Sequence, residues 1–90
     1  MAELVFTESY EKKARKFLRK HSELLGQYEK TLQLLEANPY HPSLRLHKLK
    51  GKLDGICSVS INISYRICMD FLIEKGRIIP ISIGSHDEVY

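Results

Sequence analysis

The sequence has no tryptophan, two cysteines, three prolines and five glycines among 90 residues. Two cysteines cannot build the disulfide framework of a small secreted scaffold, and with no CxxC pair they cannot form a zinc ribbon. So little proline and glycine leaves no linker, repeat or low-complexity tract. Long apolar runs are missing too. The longest nearly apolar stretch, Ile78 to Gly84, falls far short of the roughly 20 residues a membrane helix needs. Met1-Ala2-Glu3 opens directly into a strand-like segment, without the basic and apolar regions of an export signal. The expectation is one cytoplasmic domain over residues 1–90, away from membranes. Hydrophobic residues make up 43% and charged residues 28%, a balance too apolar for a disordered chain.

Acidic charge is scarce in one half of the chain. The net charge is +3, yet residues 11–52 carry eleven Lys/Arg against four Glu, while residues 53–90 carry three basic groups against five acidic ones. A basic half on a small domain points to a polyanion or an acidic protein partner. The run Lys12-Lys13-Ala14-Arg15-Lys16 taken alone is equally well read as a solvated helix face.

Leu4-Val5-Phe6 reads as a short strand, and Thr7 can cap a helix that starts near Glu8. In that helix Tyr10, Ala14, Phe17 and Leu18 recur at helical spacing. Ser22 can cap a second helix with a stripe of Leu25, Tyr28, Leu32 and Leu35, ended by Asn38-Pro39. The second half turns to period two. Cys57, Val59, Ile61 and Ile63 alternate with Ser58, Ser60, Asn62 and Ser64; Tyr65, Ile67, Met69 and Phe71 alternate with Arg66, Cys68, Asp70 and Leu72. A three-residue loop at Asn62-Ile63-Ser64 sets Ile61 opposite Tyr65, Val59 opposite Ile67, Cys57 opposite Met69 and Ser60 opposite Arg66. In that register the two cysteines point to opposite faces and stay thiols. A turn at Glu74-Lys75-Gly76 leads to a last strand over Arg77 to Ile83 with Ile79, Ile81 and Ile83 inward, where Pro80 favours an edge or a bulge. The expected fold class is α+β: an N-terminal strand and a helical hairpin on one face of a mainly antiparallel twisted sheet.

The other sheet face then carries Ser58, Ser60 and Arg66. It is bordered by the segment Arg45-Leu46-His47-Lys48-Leu49-Lys50-Gly51-Lys52 and by the tail with His86 and Tyr90. Histidine suits proton transfer near neutrality, and arginine holds a phosphate through paired hydrogen bonds. Together they support attack of a ribose 2′-hydroxyl on the neighbouring phosphate of RNA, chemistry that needs no metal and no cofactor. Spacing alone also allows plainer readings: loop histidines at the surface, Tyr90 as a packing residue, and Arg66 paired with Asp70 or Asp54. His21 and His41 have no evident companions. Lys48, Lys50 and Lys52 alternate in step with a strand and can share one face.

In order and spacing, His47-Lys48-Leu49-Lys50-Gly51, Cys57-Ser58-Val59-Ser60-Ile61-Asn62 with Tyr65-Arg66-Ile67-Cys68, and Gly84-Ser85-His86-Asp87-Glu88-Val89-Tyr90 resemble the RelE/ParE toxin superfamily. The loop histidine and the closing G-x-H-x-x-x-aromatic are similar to the YafQ branch, and the hairpin to the HigB branch. The resemblance implies a small RelE-like fold and the toxin of a type II toxin–antitoxin pair. Such a toxin is a ribosome-dependent, metal-independent mRNA endoribonuclease that inhibits translation. Its partners are the ribosome, mRNA and a cognate antitoxin that covers the basic face, with no membrane and no small-molecule cofactor. Carried over residue by residue, the catalytic positions are His86, His47, Arg66 and Tyr90. Arg45, Lys48, Lys50, Lys52, Ser60 and Ser64 border the substrate. Ser60 stands where relatives place Arg or His, and Ser64 where the YafQ branch has an acidic residue. Two other readings stay open: a ParE-like DNA gyrase inhibitor acting by protein binding, and an attenuated member that mainly binds its antitoxin.

Overall fold

The computed structural model of the chain describes residues 2–48, 56–72 and 76–85. The expected turn residues Glu74 and Lys75 lie outside them, as does Asp54. Among the described residues, five strands form one sheet: β1 (Glu3–Leu4), β2 (His47–Lys48), β3 (Ile56–Ser60), β4 (Tyr65–Leu72) and β5 (Arg77–Ser85). Their spatial order is β1-β5-β4-β3-β2. β1 runs parallel to β5, and the other neighbours are antiparallel. Two helices, α1 (Glu8–Lys20) and α2 (Leu25–Ala37), separate β1 from β2 in the chain. The architecture is α+β, two helices packed on a mixed sheet.

Local chemistry explains most element ends. Thr7 has extended backbone, and its hydroxyl accepts from the Tyr10 N–H at 3.1 Å, satisfying one orphan donor of α1. Tyr10, Ala14 and Phe17 are the buried stripe of that helix, as the spacing predicts. The second helix differs from expectation at its start. Ser22 does not cap it; Ser22–Leu24 form a 3₁₀ turn whose Ser22 carbonyl accepts from the Leu25 N–H. That turn supplies a backbone acceptor where a side chain was expected. The stripe shifts accordingly: Leu24, Tyr28, Thr31 and Leu35 are buried, while Leu25 is 47% exposed. Thr31 tolerates burial because its hydroxyl donates to the Gln27 carbonyl at 2.7 Å. Between the helices the Tyr10 and Tyr28 hydroxyls meet at 2.9 Å. Burial pushes both phenols above the ordinary range.

The hairpin has the register read from the sequence, with Cys57 opposite Met69, Val59 opposite Ile67 and Ser60 opposite Arg66. Asn62 closes it, its side-chain oxygen accepting from the N–H groups of Ser64 and Tyr65, both at 2.9 Å. This Asx-type turn leaves Ile63 at the tip, 96% exposed. The last strand departs from simple alternation. A register shift at Cys68/Met69 puts Met69 opposite Pro80 and Cys68 opposite Ser82. Ile81 is the extra residue, and parity changes across it. Ile78 and Pro80 are therefore buried, Ile83 packs on the core, and Ile79 and Ile81 do not join it. Cys57 belongs to the core cluster and Cys68 does not; both are free thiols. Among the described residues, no helix is long and apolar enough to cross a membrane.

Candidate functional site

Arg66 organises the sheet face away from the helices. Two residues set its side chain. Its Nε donates to Ser58 Oγ at 3.1 Å, across the β3–β4 pair, and its Nη2 donates to the Arg45 carbonyl at 3.0 Å. Ser58 is fully buried beneath it. Arg45 offers that carbonyl because it ends the 3₁₀ turn Pro42–Leu44 in left-handed backbone, φ 49°. A non-glycine residue there costs of order 1–2 kcal/mol, so the chain accepts strain at the point where it meets Arg66. On the other side Gly84 is opposite Arg66 and presents no side chain. The guanidinium thus leans toward β3 with two of its five N–H groups engaged, and the remaining three can meet a phosphate.

His47 joins this face. It is opposite Ser58 in the β2–β3 pair, so its side chain shares the side of Ser58 and Arg66, and it is exposed. The Arg45 side chain is exposed at the same rim. The same register corrects Lys48. Its partner is Cys57, a core residue, so Lys48 lies on the opposite side of the edge strand from Arg66, because strand neighbours alternate faces. Ser60 is buried, and its hydroxyl donates to the Asn62 carbonyl at 2.5 Å. It holds the turn, on the same sheet face as its pairing partner Arg66. Ser64 is exposed within that turn. Arg66 forms no ion pair with Asp70, since the ion pairs among the described residues are His21–Glu23 and Arg77–Glu3. His86, Tyr90, Lys50 and Lys52 lie outside the described residues.

Cys57 lies on the core side and Cys68, opposite Ser58, on the Arg66 side. Both thiols are pushed above the ordinary range by desolvation, with Lys48 pulling Cys57 partly back and the Ser82 hydroxyl doing so for Cys68. They are neutral at physiological pH and poor nucleophiles. No group of three or more His, Cys, Asp or Glu that could hold a metal occurs among the described residues. Sequence reasoning missed the two partners that fix Arg66. The pairing of Ser58 and Arg66 needs a diagonal across the hairpin, and the Arg45 carbonyl carries no sequence signal. It also missed the company of His21, whose ring lies 4.7 Å from Phe17 and 4.7 Å from Tyr65. The i, i+4 spacing of Phe17 and His21 was the available clue to half of that cluster.

No protein-family model and no curated protein matches the sequence. Solved structures do match the fold over the full chain. YafQ from E. coli strain BL21(DE3) aligns with a TM-score of 0.78 at 12% identity, covering 100% of this chain and 99% of that one. A copper-bound mutant toxin from Helicobacter pylori aligns with a TM-score of 0.72 at 26% identity, covering both chains completely. The YoeB–YefM toxin–antitoxin complex from Staphylococcus aureus aligns with a TM-score of 0.71 at 18% identity, covering 96% and 98%. With TM-scores above 0.7 over nearly the whole of each chain, this chain has the RelE-like fold of these toxins, YafQ among them.

Proposed function

We propose that the chain is the toxin of a type II toxin–antitoxin pair and that it cleaves mRNA on the ribosome in the cytoplasm. One observation carries the reading: an arginine held by two hydrogen bonds on the sheet face away from the helices, with three N–H groups left for a phosphate and the exposed His47 on the same face. In the reaction His47 takes the proton of the ribose 2′-hydroxyl, whose oxygen attacks the adjacent phosphorus. The P–O5′ bond breaks, and His86 protonates the departing 5′-oxygen; the two histidines can exchange roles. The products are a 2′,3′-cyclic phosphate and a 5′-hydroxyl. Arg66 stabilises the charge that develops on the phosphate, and Tyr90 stacks on a base or assists proton transfer. β5 supports this division, because it ends at Ser85 with Gly84 opposite Arg66, and His86 is the next residue. Arg45, just before β2, and Lys50 and Lys52, which follow it in the sequence, supply further cations. A cognate antitoxin is the expected protein partner, as YoeB has YefM in the structure from S. aureus.

An attenuated toxin is the second reading, favoured by Ser60, whose hydroxyl is committed to Asn62. Inducing the chain in cells and mapping mRNA 5′ ends separates the readings. New 5′ ends within translated codons are expected. Growth arrest with DNA damage and intact mRNA points instead to gyrase, and no toxicity points to attenuation; either refutes the main reading.

A further inference from the structure

Outside the Arg66 face, a groove of about 300 Å³ runs between α1 and β5, lined by Lys13, Lys16, Phe17, Lys20, His21 and Ile83. Its cations are spaced i, i+3 and i+7, which places them on one helix face over about 10 Å of axis. Neither Lys16 nor Lys20 has a carboxylate within ion-pair distance among the described residues. A basic residue in the last helical turn complements the helix dipole, which accounts for Lys20. Lys13 and Lys16 lie too far from that end for the same explanation.

The neighbouring sheet edge narrows what the groove can accept. β1 pairs only with Arg77 and Ile78, so beyond Ile78 no described strand lies outside β5. That edge is blunted in three ways. Ile78 turns its carbonyl outward to the Val5 N–H, so Pro80 holds the next outward position with no N–H to offer. The bulge at Ile81 breaks the ladder. Lys13 Nζ donates to the Ile81 carbonyl at 3.2 Å. These are the devices that stop strand addition, so an extended acidic peptide would find the charges without a ladder to join. A polynucleotide needs no ladder. Its phosphates suit the ammonium groups, and its sugars and bases suit the apolar walls of Phe17 and Ile83.

We infer that this groove is a second RNA-backbone site, holding phosphates that flank the one at Arg66. The connection is geometric. Ile83 lines the groove, while the next residue, Gly84, is opposite Arg66, so the two sites meet around the end of β5. The inference rests on the reading of the chain as an RNA-acting protein, though not on cleavage.

The test uses a fluorescein-labelled 12-nucleotide RNA with 2′-O-methyl ribose throughout, which cannot be cleaved by 2′-attack. Both substituted lysines are exposed and outside the core cluster. Lys16→Gln/Lys20→Gln is expected to weaken binding about tenfold at low salt and to flatten the salt slope by about 1.4, at ~0.7 per single-strand phosphate contact. On wild-type protein the same RNA should protect Lys16 and Lys20 from acetylation while Lys30 stays reactive, a measurement that stands even if the variant fails to fold. Unchanged affinity and slope, or absent protection, overturns the groove. So does a variant that keeps RNA binding but loses binding to poly-glutamate, which assigns the groove to an acidic peptide. Wild-type protein that binds no RNA at all refutes the functional reading itself; binding without cleavage leaves the groove standing and refutes only the catalytic part.

Discussion

Replacing Arg66 with alanine separates the structural from the chemical work of that side chain. The structure shows two donated bonds, at 3.1 Å to the buried Ser58 hydroxyl and at 3.0 Å to the Arg45 carbonyl. Bonds from a charged donor contribute roughly 1.5–3 kcal/mol each when fully buried. Arg66 is partly buried, and water can replace it at the exposed Arg45 carbonyl bond, so the expected loss is about 1–3 kcal/mol in all. For a domain of this size that lowers Tm by roughly 4–8 °C per kcal/mol. Loss of a charge-stabilising donor should cost about 10²–10³ in cleavage rate. Arg66→Lys keeps the charge but loses the planar fork, and should fall between wild type and alanine. Primer extension on ribosome-bound mRNA gives the rate, with thermal melting run on the same samples to exclude unfolding. Wild-type cleavage by a folded Arg66→Ala protein would refute the assignment of the sheet face as the reactive site.

His86→Ala should lower cleavage by about 10²–10⁴, the usual contribution of a general acid, while antitoxin affinity changes little; full toxicity of that variant makes the tail structural. Cys57 and Cys68 should remain unlinked in native protein and react slowly with iodoacetamide at neutral pH, and an intramolecular disulfide in a peptide map contradicts the register. Both thiols and the Tyr10 and Tyr28 phenols have raised values in the folded state. Their stabilising contribution is complete below the unfolded values and is lost as pH rises past them, from about 8.5 for thiols and 10 for phenols. Urea midpoints should therefore fall above about pH 9, and a flat profile to pH 11 argues against their burial. Arg45→Gly relieves left-handed backbone at a residue whose carbonyl is the part in use, so Tm should hold or rise; a fall of more than a few degrees means that the side chain, too, holds the turn.

Much of this molecule was written in local patterns. Period two with one face buried fixes a hairpin register, because a slip of one residue would send Val59 and Ile67 to the opposite face. Thr7, the α1 stripe and the stop at Asn38 are equally local, since capping and helical spacing act within a few residues. So the fold class, the sheet face of Arg66 and the opposite placement of the two thiols were legible without coordinates. The bulge at Ile81 was not, although Pro80 hinted at it: where parity changes depends on how β5 meets β4 and β1 together. The 3₁₀ entry to α2 was hidden for a similar reason, because packing chose Leu24 over Leu25 for the core. What the tertiary structure alone decided is how Arg66 is held and which cations face it. The Arg45 carbonyl and Ser58 approach it only once β2, β3 and β4 are in register, and that register sends Lys48 to the other side. Backbone acceptors leave no trace in a sequence, and the side a short edge strand presents is set by its partner rather than by its own residues.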